Sequence, residues 1–302
     1  MIYKYVYGPV PSRRMGISLG ISPIPKGYCS YSCIYCQLGR TKHMTIEKQE
    51  FFKVNDIVNE LKNYLKEDIS FDVITIVGEG EPTLYSKLGE LINSIKQLTK
   101  KPVALITNGS LLSDYMKNAD IILPSFDAFD EESFKKINRP FQKIKFNEMY
   151  ETLKNFSKNY TGELWIELML VKGLNDSKEQ LLKMKELLKD IKYDKLYINV
   201  PVRPPAEEWV KIPDEKNIKM AVELLNGISI DQLISNNFFS EIKDDYEAIL
   251  SIIKRHPMNQ HEILTFLKTR NCKKIDEILS KLFNDEKIES IFYKGYTTFR
   301  IK

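Results

Sequence analysis

Three of the chain's four cysteines fall within eight residues, Cys29-Ser30-Tyr31-Ser32-Cys33-Ile34-Tyr35-Cys36. Three thiolates on one short loop are spaced so that each can reach a different iron of a cubane, leaving one iron without a cysteine. Such an open position on a redox cluster lets a bound molecule be activated by inner-sphere electron transfer. Two other readings use the same residues. A structural zinc site would recruit His43 as its fourth ligand, although zinc sites mostly draw their cysteines in pairs. Three buried thiols without chemical consequence are the other. The fourth cysteine, Cys272, lies beside a helix start far along the chain and reads as a buried or incidental thiol.

The loop needs a scaffold, and the chain has the material for one. With 302 residues, 43% of them hydrophobic and 28% charged, it is long enough for a barrel-sized domain and a small appendage. A net charge of +4 does not by itself imply a polyanionic partner. Its distribution is uneven: residues 1–50 carry seven basic and two acidic side chains, residues 51–244 carry 27 and 31, and residues 245–302 carry 11 and 8. Few cysteines, most of them in one triplet, do not make a secreted disulfide framework and point to a reducing cytoplasm. The start, Met1-Ile2-Tyr3-Lys4-Tyr5, lacks a charged segment followed by an apolar one, and no apolar run approaches the ~18 residues of a membrane span. The expectation is a soluble, unprocessed, cytoplasmic protein with no membrane partner.

From residue 71 onward, short runs rich in Ile and Val alternate with segments of helical period, the pattern of parallel strands joined by crossover helices. Strands are expected at Ile17–Ile21, Asp72–Val77, Pro102–Thr107, Ile121–Ser125, Leu164–Leu170 and Leu196–Val200. Helices are expected near 55–66, 86–99, 130–158, 176–190 and 214–226. Six strands in alternation with helices predict an incomplete (β/α)6 barrel of the TIM type, whose chemistry lies in the loops after the strands. The unusual residues fall there. The cysteines follow the first strand, Gly78-Glu79-Gly80-Glu81-Pro82 the second, Thr107-Asn108-Gly109 the third and Ser125-Phe126-Asp127 the fourth.

Glycines in such a loop let the backbone approach a ligand, and a carboxylate suits an ammonium partner. Singly, each motif also reads as a punctuated loop, a turn or a helix N-cap. Glu167 and Lys172 flank the fifth strand's end and Arg203 follows the sixth, so all three can face the barrel mouth, where the Lys or Arg can hold a substrate carboxylate or phosphate; a salt-bridged rim is the alternative. Arg13 and Arg14, paired before the first strand, are further candidates on the substrate side, with a solvated turn as the alternative.

After about residue 240 the alternation stops. Helical patterns near 245–255, 259–268 and 273–284 precede two β-like stretches, Ile288–Tyr293 and Thr297–Ile301, around Lys294-Gly295-Tyr296. Three helices and a hairpin are the order of a winged helix-turn-helix, giving domains 1–240 and 241–302. On its third helix Lys273, Lys274 and Lys281 are offset by Asp276, Glu277 and Asp285, a mixed face that argues weakly for phosphate contacts.

The cysteine triplet with Tyr35 before its last member resembles the signature loop of the radical S-adenosylmethionine (SAM) superfamily, and the three later loops resemble the family's motifs in order. The resemblance implies one [4Fe–4S] cluster on Cys29, Cys33 and Cys36, with SAM on the fourth iron. Reductive cleavage of SAM would then give a 5′-deoxyadenosyl radical that abstracts hydrogen from a substrate. It also implies that Tyr35, Gly80 and Glu81 lie on the SAM side, with Asn108, Ser125 and Asp127 near its ribose or carboxylate, and that a flavodoxin- or ferredoxin-like electron donor is a partner.

The stretches Tyr7-Gly8-Pro9-Val10-Pro11-Ser12-Arg13-Arg14, Gln37-Leu38-Gly39-Arg40-Thr41, Ile137-Asn138-Arg139-Pro140 and Val202-Arg203-Pro204-Pro205-Ala206-Glu207 are similar to the branch grouped with the wyosine-tRNA synthase radical enzymes. Wyosine synthase itself carries a second cluster, for which Cys272 alone does not suffice. The substrate class stays open between a tRNA and a peptide, the latter because similar small domains hold leader peptides. A non-catalytic cluster- or zinc-binding regulator acting through the winged helix is the remaining alternative.

Overall fold

The computed structural model describes residues 3–67, 70–230, 238–240 and 242–302. Met1 and Ile2, and residue 241 at the expected domain boundary, lie outside these.

Two strands, β1 (Val6–Ser12) and β2 (Gly16–Ile21), lead into a short ladder of β3 (Tyr28–Cys29) and β4 (His43–Met44). Strands and helices then alternate: α1 (Val54–Tyr64), β5 (Val73–Ile76), α2 (Leu88–Leu98), β6 (Val103–Thr107), β7 (Ile121–Pro124), α3 (Glu131–Ile137), α4 (Phe146–Asn159), β8 (Glu163–Met169), α5 (Lys178–Leu188), β9 (Lys195–Asn199), α6 (Glu215–Leu225) and β10 (Ile228–Ser229). Eight strands form one sheet in the order β1-β2-β5-β6-β7-β8-β9-β10. Only β1 pairs antiparallel; every later neighbour is parallel. The fold is therefore α/β around a mostly parallel sheet.

The sheet is covered on both faces, which is why its inner strands read as continuous apolar runs. One face packs on the helices, with Ile74, Leu105, Ile122, Ile166 and Ile198 meeting side chains such as Leu61, Leu91, Phe134 and Leu181. The other carries Val73, Ala104, Ile121, Leu123, Trp165 and Tyr197 as a smaller cluster without helix residues. At ~25 cal/mol per Å2, each fully buried Ile or Leu contributes roughly 1.5–3 kcal/mol, so the helix-facing layer dominates the fold's stability.

Two differences from the sequence expectation have physical causes. β1 carries Pro9 and Pro11, residues depleted in strands; it survives because it is the edge of the sheet, with a register shift between Tyr7 and Val10. The single helix expected over 130–158 is two helices. Asn138 caps α3, Arg139 turns to φ +47°, and Pro140 cannot continue the ladder. This break delivers Asn138 and Arg139 to the cysteine loop.

The C-terminal part contains α7 (Asp245–Ile253), β11 (Met258–Asn259), α8 (Gln260–Thr269), α9 (Ile275–Asn284), β12 (Ile288–Tyr293) and β13 (Tyr296–Ile301). Its strands form an antiparallel sheet in the order β11-β13-β12, and the β12–β13 turn is the two residues Lys294 and Gly295, both at positive φ, with Tyr296 already in the strand. Its core centres on Ile249, Ile252, Phe266, Leu267, Leu282 and Phe299 and also takes in Val10 of β1. Cys272 packs partly buried against it.

Candidate functional site

The cysteine loop is held by backbone hydrogen bonds from several directions. Cys36 N donates to Cys33 O and Gly39 N to Cys36 O, both at 3.1 Å, winding the loop into consecutive turns. Glu81 N donates to Tyr28 O at 2.9 Å, Ile34 N to Ile137 O at 3.0 Å and Glu207 N to Ile34 O at 3.0 Å. The result is that Cys29, Cys33 and Cys36 line one cavity of about 340 Å3, together with Tyr31 and Gly80. His43, the fourth ligand of the zinc alternative, is exposed and stacks on Tyr28 with ring centroids 4.4 Å apart.

Gly80 lies where a side chain has no room: a Cβ there would sit 1.9 Å from Tyr28 O. Glu81 is buried, and its carboxylate is occupied by its neighbours. Oε1 accepts from Thr83 N and Oγ1 and from Thr107 Oγ1, while Oε2 accepts from Asn108 N at 2.7 Å. Burial raises its pKa although these donors pull it down. Asn108 is thereby turned so that Nδ2 donates to Ser30 Oγ at 2.9 Å and lies 3.6 Å from Cys29 Sγ. Beside the second thiol Asn138 Nδ2 lies 3.6 Å from Cys33 Sγ and donates to Asp127 at 2.7 Å. Asp127 also accepts from the Tyr35 hydroxyl and from Met169 N, and burial lifts its carboxyl to about 6 despite these donors. Ser125 bridges to Glu167 at the next strand.

The substrate-side candidates separate into three situations. Arg14 pairs with Glu167, which also accepts from Asn199 Nδ2 at 3.0 Å, so these three form one polar group across the sheet end. Lys172 is a rim ion pair with Asp214 at 2.7 Å. Arg203 faces the C-terminal part, donating to Pro257 O, to Glu262 at 3.2 Å and to His256 Nε2 at 2.7 Å. Since a guanidinium only donates, His256 accepts through Nε2 and carries its proton on Nδ1. Burial, then the positive charge of Arg203, Arg13 and Arg14, holds its pKa well below the usual imidazole value. Arg13 thus adds to the positive field around His256.

Periodicity and spacing did not single out the clamp around the loop. Glu207 accepts from Arg40 Nε and Nη2, both at 2.9 Å, and from Arg139. All three lie in stretches that carried the family resemblance, but only the folded chain shows that they converge. The Arg40 hydrogen bonds hold the Glu207 carboxyl below the usual carboxylate range. A carboxyl with a depressed folded pKa contributes stability above its unfolded value and loses it as pH falls through the folded one. Glu207→Gln is therefore expected to lower the unfolding midpoint of the metal-free chain by about 2–4 °C at neutral pH. The gap from the parent should begin to narrow below about pH 4.3 and go on narrowing as pH falls through the lower folded value. Thermal melts across that range check this, and a gap unchanged from neutral pH down to about pH 3 would show that charge is not what Glu207 contributes.

The donor set fits an iron–sulfur cluster. Burial raises all three thiol pKa values, that of Cys29 to about 12, and Asp127 raises Cys33 further, while Arg300 pulls Cys36 down. Thiolates in such a place require a cationic partner, which a cluster supplies. The Tyr31 hydroxyl, in the same cavity, is buried without a hydrogen-bond partner among the described residues.

The sequence profile of the radical SAM superfamily matches residues 24–184, from just before the first cysteine to α5. The chain belongs to the radical SAM superfamily. As a member it is an enzyme, and the family implies a four-iron cluster and SAM as its cofactors. A UPF0026 protein of Methanocaldococcus jannaschii, MJ1312, is 34% identical over 96% of this chain and 93% of its own length. A probable dual-specificity RNA methyltransferase RlmN of Endomicrobium trichonymphae is 27% identical over 67% of this chain and 61% of its own. Among solved structures, a radical SAM methyltransferase from Sphaerobacter thermophilus superposes with a TM-score of 0.51 at 13% identity, covering 71% of this chain and 68% of that one, which is a likeness of fold. No helix of the described residues is long and apolar enough to cross a membrane.

Proposed function

We propose that this radical SAM enzyme holds one [4Fe–4S] cluster on Cys29, Cys33 and Cys36 and acts on an RNA, most simply a tRNA. The observation that carries the cluster assignment is the three-thiol wall with an amide donor, Asn108 or Asn138, beside two of its sulfurs. Bound there, cluster and SAM would supply a 5′-deoxyadenosyl radical for hydrogen abstraction. The chain's own residues do the rest. Gly80 gives the cavity a close backbone wall, and Tyr35, through its hydroxyl on Asp127, and Ser125, bridged to Glu167, are the SAM-side residues of the neighbouring loops. Glu81 and Asp127 act through the loops they tie, fixing Asn108 and Asn138 against the thiols. Arg13 and Arg14 provide cations for an anionic substrate, with Glu167 orienting Arg14, while Arg203 ties the C-terminal part and Lys172 serves the rim.

In this reading residues 1–240 are an incomplete (β/α)6 barrel and residues 241–302 a winged-helix unit, in a cytoplasmic protein reduced by a flavodoxin- or ferredoxin-like donor. The RNA assignment rests on the likeness to an RNA methyltransferase and on the basic first 50 residues. Anaerobic reconstitution should give about four irons per chain and, with reductant, 5′-deoxyadenosine from SAM. Bound zinc without SAM cleavage would overturn the enzyme reading of the loop. Binding of bulk tRNA, weakening with added salt, should exceed binding of duplex DNA and of peptide pools; a preference for peptide would replace RNA by a peptide substrate.

A further inference from the structure

One wall of the cysteine cavity comes from the far end of the sequence. Glu289 of β12 and Arg300, Ile301 and Lys302 at the end of β13 line the same cavity as the three thiols. Lys26, three residues before Cys29, donates through Nζ to Ile301 O at 2.6 Å and Lys302 O at 2.9 Å. Arg300 donates through Nη1 to Gln37 O at 3.3 Å and through Nε to Glu289 at 2.7 Å. Its Nη2 comes 4.0 Å from where a Cβ on Gly39 would lie. The Arg300 side chain is 13% exposed and that of Glu289 is 41%, so the cation is the more enclosed of the two.

We propose that Arg300 is a positioning residue for the cysteine loop, clasping the turn that follows Cys36 through Gln37 O and setting a guanidinium beside the thiol wall. The C-terminal hairpin is then a built part of the cluster site. This rests on the cluster assignment above. A carbonyl of the cysteine loop that accepts from a half-buried Arg loses freedom, which orients the neighbouring ligand. The enclosed positive charge favours the more negative, reduced state of a cluster, because local charge is one of the levers on its potential. Glu289, exposed and acidic, opposes it.

Two measurements test this on the full chain. In the metal-free protein, amide hydrogen exchange in residues 37–42 should quicken about tenfold in Arg300→Gln and stay near the parent rate in Glu289→Gln, which keeps the clasp. In the reconstituted protein, a redox titration followed by electron paramagnetic resonance should show opposite shifts. Arg300→Gln is expected to lower the reduced-to-oxidised ratio at fixed potential about tenfold, which is about 59 mV for one electron. Glu289→Gln should raise it, and Arg300→Lys should restore most of the Arg300→Gln loss. Unchanged exchange in Arg300→Gln, or shifts of the same sign in Arg300→Gln and Glu289→Gln, would overturn the proposal. If the parent protein takes up no iron, the cluster assignment falls, and the exchange measurement still decides whether Arg300 clasps the loop.

Discussion

Replacing Cys33 with alanine is expected to bring bound iron from about four per chain to background and to abolish 5′-deoxyadenosine formation from SAM. Cys33 is the middle thiol of the cavity wall, 3.6 Å from the Asn138 amide that Asp127 holds in place. Two remaining thiols do not hold a cubane with one open iron, and no other cysteine can substitute. Cys272 packs against the core of the C-terminal part, with Asp245 among the groups acting on its thiol. Cys272→Ala should therefore keep full iron content and SAM cleavage. Iron analysis and chromatography of the nucleoside product read both variants. Full iron in Cys33→Ala, or its loss in Cys272→Ala, would sink the assignment of the cluster to the triplet.

Much of this architecture is legible in the sequence. Parallel strands buried on both faces write themselves as apolar runs, and the loops after β2, β5, β6 and β7 carried residue types that plain turns do not need. What was not legible came from long-range convergence. Nothing in local pattern says that Glu207 meets Arg40 and Arg139, or that Arg300 reaches Gln37 across 263 positions of sequence. Carboxylates show a second limit. Glu81 and Asp127 suit a ligand by type, and in the fold their oxygens also accept from Thr83, Thr107, Asn108, Tyr35, Asn138 and Met169. A sequence shows which side chains can accept hydrogen bonds; whether the surrounding fold has already used them depends on the packing.

Arg203 illustrates the same competition between readings. It followed a strand end and so qualified for a substrate anion, but it is enclosed at 14% exposure and spends its donors on His256, Pro257 and Glu262 of the C-terminal part. Similar links, such as Tyr293 Oη to Pro201 O at 2.7 Å and Arg255 near Glu79 at 3.5 Å, cross the same boundary. The two parts therefore meet through polar groups, one of which, Glu79, also lines the cysteine cavity.

Gly80→Ala is the second change expected to have a large effect, and it tests backbone geometry without touching a ligand. The added methyl would lie 1.9 Å from Tyr28 O and 2.8 Å from its carbonyl carbon, both backbone atoms that cannot swing aside. Tyr28 precedes Cys29 in β3, and its carbonyl is also the acceptor for Glu81 N. To relieve the clash the strand must retreat, carrying Cys29 out of line with Cys33 and Cys36. Iron content should fall below about one per chain and SAM cleavage by about 10²-fold or more, since even changes outside the metal's own ligands cost 10–100-fold. Gly78→Ala is the control in the same loop. Its methyl meets side-chain atoms of the buried Ile24, Cγ1 at 2.7 Å and Cδ1 at 2.9 Å, so the strain falls first on a core side chain and not on the backbone of the cysteine strand. Overpacking of that kind typically costs about 1–3 kcal/mol of stability, so Gly78→Ala should melt earlier yet still bind iron. Equal iron loss in the two variants, measured well below their melting points, would mean that general destabilisation and not the Gly80–Tyr28 contact governs the cysteine loop.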